Sequence, residues 1–357
     1  MSKTDQPLVS VVTPVYNGEK YLAECIESVL NQTYTNYEYL ILNNCSKDRT
    51  LEIAQSYAKK DSRIRVHDNT DFLEVIANHN HAFSLITPLA KYCKVVSGDD
   101  FIFPECLKQM VEFAEAHPTV GIVGSYQQSG KRVRWQGFRY PNVLMPGREL
   151  SRQMFLDAHP DFGFGTPTSI LYRADIMRNH REFYPNSSPH SDTSACFMAL
   201  QDCDFGFIYQ ILSCERTHEE TQSTRSAQLN RYSSANLNDL LHYGPLVLSY
   251  DELQSTLKSW LDGYYRFLAV HYFRRSRGEE FWRYHRSRLN ELGFPLKRSQ
   301  LLKALMALIW KEVRNPEDAI RKLRKPRLEN PANIPVTQPQ TQRVNDPKAA
   351  RVNGIQT

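Results

Sequence analysis

Over its first hundred residues the chain alternates β-branched runs with segments of helical period, and this rhythm restricts it to a wound α/β sheet. Val9-Ser10-Val11-Val12-Thr13 reads as a strand ended by Pro14. Glu19–Asn31 then sets Tyr21, Leu22, Cys25, Ile26, Val29 and Leu30 on one helical face. Tyr37–Leu42 is a second apolar run, followed by Leu51, Ala54, Tyr57 and Ala58 at helical spacing. A strand at Ile64–His67, a helix around Leu73–Leu85 and a buried strand at Tyr92–Val96 extend the pattern to a mainly parallel sheet flanked by helices.

Ligands of such sheets bind beyond the carboxyl ends of the strands, which singles out the loops Pro14–Gly18, Asn43–Asp48 and Ser97–Asp100. Further elements are expected at Glu105–His117 (helix), Val120–Ser125 (strand), Ser169–Tyr172 (strand), Thr193–Gln201 (helix) and Phe205–Gln210 (strand). The stretch from Gln127 to Gly147 reads as irregular.

Near residues 225–235 the composition changes. An α/β unit over residues 1–228 gives way to a basic, aromatic-rich helical extension over 229–327, where Trp260, Tyr264, Tyr265, Phe267, Tyr272, Phe273, Phe281, Trp282 and Tyr284 interleave with arginines. Residues 328–357 hold too few apolar side chains to fold and are expected to be disordered. From Tyr250 to Asn330 there are 18 Lys/Arg against 10 Asp/Glu, so a chain of net charge +5 concentrates its positive charge there. That asymmetry points to an anionic partner such as a membrane surface. Leu301, Leu302, Leu305, Leu308, Ile309 and Trp310 beside Lys303, Lys311 and Arg314 outline a basic amphipathic helix that rests either on such a surface or on the α/β unit.

No stretch has the length of uninterrupted apolar residues that a membrane span requires, and the first residues lack the pattern of a secretory signal. A cytoplasmic location is expected, with peripheral attachment to the inner face of the membrane through the C-terminal helices. The seven cysteines are scattered without a C-x-x-C pair, which indicates neither a disulfide framework nor a zinc site.

Asp99-Asp100 ends the most apolar strand. Two adjacent carboxylates there need a cation or hydrogen-bond donors, and Mg²⁺ or Mn²⁺ is the natural partner, because such ions are held by one or two carboxylates plus substrate phosphates. The competing reading is a turn in which Asp100 caps the helix that begins near Pro104.

The run Val9-Ser10-Val11-Val12-Thr13-Pro14-Val15-Tyr16-Asn17-Gly18-Glu19-Lys20-Tyr21-Leu22, then Glu27 to Tyr34, Asn44-Cys45-Ser46-Lys47-Asp48-Arg49-Thr50 and Tyr92 to Asp100, resembles the family 2 glycosyltransferases. The likeness is clear over about 125 residues and thins out near 220. It implies the GT-A fold of nucleotide-diphospho-sugar transferases, with a nucleotide-binding half over about 1–125 and an acceptor half over about 126–228.

By the same resemblance Pro14, Tyr16, Asn17, Asn43, Asn44, Asn80 and Asp99 would contact the nucleotide, and Asp100 would be the principal metal ligand, helped by Asp99 and His218. Asp192 would be the general base. Its other reading is a helix N-cap. The sequence departs from the family pattern at Asn43-Asn44, where Asp-Asp is usual, and at Ser97, where the metal motif has its leading Asp. An Asn carbonyl still accepts a base N–H, although its amide group also donates.

The resemblance implies inverting transfer of a sugar from a nucleotide diphosphate sugar, UDP-linked by preference, to a hydroxyl of a glycan or glycolipid acceptor. Two alternatives remain open: a catalytically degenerate nucleotide-sugar-binding protein, and a sugar nucleotidyltransferase, for which the expected Gly-rich phosphate loop is missing. Nucleic acid is not expected as a partner, since the extension shows no recognisable binding module.

Overall fold

The computed structural model describes residues 6–138, 140–157, 163–186, 188–216, 229–274 and 277–314, with side chains as far as Trp310. Four strands open the fold: β1 (Val9–Val15), β2 (Tyr37–Asn43), β3 (Ile64–Asp68) and β4 (Tyr92–Val95). They lie side by side in the order β3-β2-β1-β4, all parallel. β1 is central and buried along its whole length, as its β-branched run requires. Between them run α1 (Leu22–Leu30), α2 (Thr50–Ala58) and α3 (Val75–Ser84).

After β4 the sheet becomes mixed. β5 (Phe101–Ile102) and α4 (Cys106–Ala116) lead into β6 (Val120–Ser129), β7 (Arg132–Arg134), β8 (Leu144–Met145) and α5 (Gly147–Leu156). A short 3₁₀ turn at Pro167–Ser169 starts β9 (Ile170–Arg173), and α6 (Ala174–Arg178), α7 (Ser191–Ala199) and β10 (Asp204–Glu215) follow. β9 inserts antiparallel between β4 and β6, and β10 runs parallel to β6, giving ten strands in one sheet.

Alternation along the strands separates two cores. Val9, Val11, Tyr39, Ile41 and Val96 face α1, α2 and α4, with Leu22, Ile26, Ala54, Leu107 and Met110. Val12, Leu40, Leu42, Cys93 and Val95 face α3, α5, α6 and α7, with Phe83, Phe155, Met177 and Phe197.

The stretch read as irregular contains β7 and β8, and α5 follows it directly. β7 and β8 are two or three residues long and pair at the margin of the sheet, on β6 and β10, so they show no alternation of their own. β10 reaches Glu215, five residues beyond its expected end, because register shifts after Ile208 and Ile211 let it bend and continue along β6.

Among the described residues the extension holds the helices α8 (Tyr232–Val247), α9 (Tyr250–Arg274), α10 (Glu279–Glu291) and α11 (Arg298–Arg314). α8 docks on the α/β unit, with Leu240 in the same core as α5 and α7. α11 lies on α9, where Leu301, Ala304, Leu305 and Leu308 meet Tyr265 and Ala269. Its apolar face is thus spent on another helix of the extension, and Leu302, Met306, Ile309 and Trp310 form a second, exposed stripe. No helix of the described residues is long and apolar enough to cross a membrane. The expected disordered tail lies outside the described residues.

Candidate active site

The carboxyl ends of β1, β2, β3 and β4 converge on one edge, and their loops are tied to each other before any ligand is considered. Asn17 takes a positive φ of 50°, its N–H donates to Ser46 Oγ at 2.9 Å, and its Oδ1 accepts from Lys47 N at 2.8 Å. Gly18 N donates to Thr50 Oγ1 at 2.7 Å and Glu19 N to Asp48 Oδ2 at 3.0 Å. The Pro14–Gly18 and Asn43–Asp48 loops therefore form one braced cradle. Pro14 is buried opposite Leu42, whereas Tyr16 is 48% exposed with its ring edge-on to Phe72 at 5.1 Å.

The other three asparagines assigned to the nucleotide, besides Asn17, differ in what they leave free. Asn44 donates to Leu73 O at 2.7 Å and accepts from Leu73 N at 2.9 Å and Asn69 Nδ2 at 3.0 Å, so its amide braces the loop before α3. Asn80 exchanges two hydrogen bonds with the backbone of Tyr184, at 2.8 and 2.9 Å, clamping α3 to the segment that leads into α7. Asn43 is different. Its Nδ2 donates to Asp68 Oδ1 at 2.7 Å, and its buried Oδ1 has no partner among the described residues. Asp68 thus fixes which end of the amide is left as an acceptor. Asp68 was missed in the sequence, although it stands at the carboxyl end of β3, where the strand-end rule points.

At the end of β4, Gly98 is required by space, since a Cβ there would lie 2.8 Å from Val15 Cγ2. This brings the Asp99-Asp100 backbone against β1. Asp100 is 4% exposed. Its Oδ2 accepts from Thr168 Oγ1 at 2.6 Å and its Oδ1 from Arg216 N at 3.1 Å. Burial first, and the Asp99 charge second, push the Asp100 carboxyl up to about 7. Asp100 does not cap α4, whose N-cap position is Glu105. Arg216 also donates to the Asp99 carbonyl at 2.8 Å, pairs with Glu24 and stacks over Tyr21 and Phe101.

A carboxylate that resists ionisation beside a second carboxylate fits a divalent cation, which would relieve both while leaving positions for phosphate oxygens. Among the described residues no group of three His, Cys, Asp or Glu side chains assembles into a complete cage. His218, the third ligand expected, lies outside the described residues.

Asp192 is in the first turn of α7, and the N-cap position is taken by His190, which makes no side-chain capping bond. The capping reading of Asp192 is thereby corrected. Its charge reaches several neighbours. It favours protonation of His79 and His190 against the burial that lowers both rings, and it adds to the burial that raises Tyr184 and Asp239.

A row of charged and polar groups joins this point to the aspartate pair. The Tyr232 hydroxyl is raised by burial, with Asp192 and Glu215 adding and Arg134 opposing. Glu215 is raised by burial, with Arg134 opposing and Asp99 adding. Electrostatically, Asp99, Glu215, Arg134, Tyr232 and Asp192 thus form one linked series of charged and polar groups. Glu215, Arg134 and Tyr232 went unread in the sequence, for they come from the strand extension, a marginal strand and the first turn of a helix outside the sheet.

The model of glycosyl transferase family 2 matches residues 10–181. The putative glycosyltransferase EpsE of Bacillus subtilis is 40% identical over 143 residues, 40% of this chain and 51% of EpsE. The chain spans about half the length of the curated relatives it matches. Among solved structures, S. aureus TarS 1-349 in complex with UDP-GlcNAc superposes with a TM-score of 0.57 at 18% identity, over 80% of each chain. The mannosyltransferase PcManGT of Pyrobaculum calidifontis, in complex with GDP-Man and Mn²⁺, gives 0.51 at 14% identity, over 87% of this chain and 89% of its own. These two show the GT-A fold. Residues 10–181 are thus a domain of the glycosyl transferase family 2 kind, and over this part the chain is similar to glycosyltransferases.

Proposed function

We propose that the protein transfers a sugar, with inversion, from a uridine diphosphate sugar to a hydroxyl of a glycan or glycolipid acceptor. The observation that carries this is the buried Asp100 carboxylate beside Asp99, linked through the charges of Glu215 and Arg134 and the Tyr232 hydroxyl to a separate acidic residue, Asp192. The braced loops hold the nucleotide, with Tyr16 beside the base and Asn17 locking the cradle. The free Asn43 carbonyl accepts the N3–H of uracil, a donor that cytosine and adenine lack at that position.

Asp99 and Asp100 would hold Mg²⁺ or Mn²⁺ together with the diphosphate, and the ion would neutralise charge that gathers on the leaving group. Thr168 and the Arg216 N–H keep the Asp100 carboxylate in a fixed orientation. Asp192 takes the proton of the acceptor hydroxyl as its oxygen bonds to the anomeric carbon, and the nucleoside diphosphate leaves from the opposite face. The ligands of the two neighbours, UDP-GlcNAc in TarS and GDP-Man with Mn²⁺ in PcManGT, support a nucleotide-sugar donor and a metal. The exposed stripe of α11 and the positive charge of the extension support contact with an anionic membrane surface, where a glycolipid acceptor would be met.

Thermal shift with UDP, GDP, CDP and ADP in Mn²⁺ tests the donor reading. UDP at 100 times its Kd adds about 2.7 kcal/mol, and CDP and ADP leave the transition in place. Stabilisation by GDP above UDP overturns the base assignment. Slow release of free sugar from the donor separates an enzyme from a binding protein, and release of pyrophosphate would instead indicate a nucleotidyltransferase.

A further inference from the structure

The family match ends at residue 181, before Asp192 and the whole of the extension. The matched span thus holds the strand-end loops and the Asp99-Asp100 pair, and Asp192 and the extension lie beyond it. The segment of the extension linked to both Asp192 and Glu215 is the start of α8.

Tyr232 opens that helix, 46% exposed, with its ring edge-on to His190 at a centroid distance of 4.2 Å and an interplanar angle of 78°. The charges of Arg134, Asp192 and Glu215 all act on its hydroxyl. One side chain thus offers an exposed aromatic surface and packs on His190, two residues before the residue assigned as the base.

Two turns further along, Asp239 fixes this arrangement. It is 1% exposed, and Ser194 of α7 donates its hydroxyl to Asp239 Oδ1 at 2.6 Å. The Ser194 backbone N–H donates to the His190 carbonyl at 3.1 Å. A buried carboxylate is costly to keep, and here it ties α8 to the turn of α7 that carries Asp192. Leu240 locks the same helix into the core of the α/β unit. The distance between Tyr232 and Asp192 is therefore held by buried contacts and not by a surface loop.

We propose that α8 is a wall of the acceptor site and that the Tyr232 ring is the surface against which the pyranose ring of the acceptor lies. This rests on the sugar-transfer reading above. A pyranose presents an apolar C–H face and a rim of hydroxyls. The first matches an aromatic face and the second matches Arg134, Glu215 and Asp192 around the phenol, the usual mixture of one apolar surface and a few convergent polar groups in a small-ligand site. Tyr232 is thus a binding residue for the acceptor, without a part in holding the donor.

Saturation-transfer NMR on the full chain with Mg²⁺, which is diamagnetic, and UDP provides the test, using methyl pyranosides of glucose, galactose, N-acetylglucosamine and rhamnose as probes. At least one probe is expected to receive saturation on its ring protons in the wild type. Its affinity should fall about tenfold or more in Tyr232→Ala and stay within about threefold in Tyr232→Phe, which keeps the ring. UDP signals should be equal in all three proteins. Equal saturation of the probe in Tyr232→Ala overturns the proposal, and so does a UDP-loaded wild type that saturates none of the four. The uracil protons report separately: if UDP itself receives no saturation, the donor reading fails, while the wild-type and Tyr232→Ala comparison still decides the role of Tyr232.

Discussion

The extension should melt in mild acid through two buried imidazoles. His285 on α10 is fully buried. Its Nε2 donates to the Leu229 carbonyl at 2.9 Å and its Nδ1 accepts from the Tyr264 hydroxyl at 2.6 Å, so the ring is held as one neutral tautomer bridging α9, α10 and the residue before α8. His271 on α9 is 5% exposed. Burial is the main cause that brings both rings down from 6.5 to about 4, with Arg277 and Arg274 adding at His271. At His285 the Leu229 carbonyl opposes, and His271 and Arg277 add. The unfolded chain takes up these protons near pH 6.5 and the folded chain only near pH 4. The stabilisation is therefore complete above 6.5 and is lost as pH falls from there towards 4. Between pH 7.5 and 5 the loss works out at about 2 kcal/mol for each ring. Urea unfolding followed by tryptophan fluorescence reads it, since Trp260 lies on α9 and Trp282 on α10. His285→Gln should start less stable at pH 7.5 and lose only about half as much of its stability on going to pH 5. An equal pH dependence in wild type and variant, or none in either, would refute the reasoning.

Asp100→Asn keeps an acceptor for Thr168 and should fold, yet the Mn²⁺-dependent stabilisation by UDP should vanish in a thermal-shift assay, and wild-type behaviour would remove the metal assignment. Asp192→Asn should lower kcat by about 10²–10⁴ with donor affinity nearly unchanged; because His190 holds the cap position, a loss of that size cannot come from capping. Asp68→Asn releases the Asn43 amide to turn, so the preference for UDP over CDP should shrink in calorimetric titrations, and an unchanged preference would show that Asn43 does not read the base. Leu302→Glu with Met306→Glu on the outer stripe of α11 should abolish flotation with anionic liposomes, and wild-type binding that ignores salt would deny the electrostatic part of that contact.

The first four strands and three helices were legible because each has a period of its own. β1, β2 and β4 are largely apolar runs buried on both faces, β3 keeps Ile64 and Val66 in alternation at the sheet edge, and α1 shows a strip of Leu22, Cys25, Ile26 and Val29. Elements defined by their neighbours were not legible. β5, β7 and β8 exist because β10 and β6 offer them partners, and β10 outruns its apolar stretch by bending after Ile208. α5 carries only Leu150, Ser151 and Phe155 inward beyond its first residue, a weak signal next to the Gly and Pro at its start. The second face of α11 was also hidden, because an apolar helix reads the same whether one side or two are covered.

The site follows the same division, and Lys94 shows why. In the sequence it is a charge interrupting the strand Tyr92–Val96, with nothing to connect it to the aspartates that follow. In the fold it has no exposure at all, and its Nζ donates to the carbonyls of Thr168 at 2.5 Å and Ile170 at 3.0 Å, where β9 enters antiparallel to β4. That contact places Thr168, whose Oγ1 receives the Ser97 N–H at 3.1 Å and donates to Asp100 at 2.6 Å. Burial lowers the Lys94 ammonium and the charge of Asp100 opposes this, so the two buried groups act on each other across Thr168. A third carboxylate is usual at position 97 of this family; with Ser97 in its place, the orientation of Asp100 depends on a hydroxyl from the far side of the sheet and on the lysine that holds it. The partners are about seventy residues apart in the chain. Residue types and spacing identify which groups carry charge, but the support of each group is a contact between strands, and only the register of β4 against β9 reveals it.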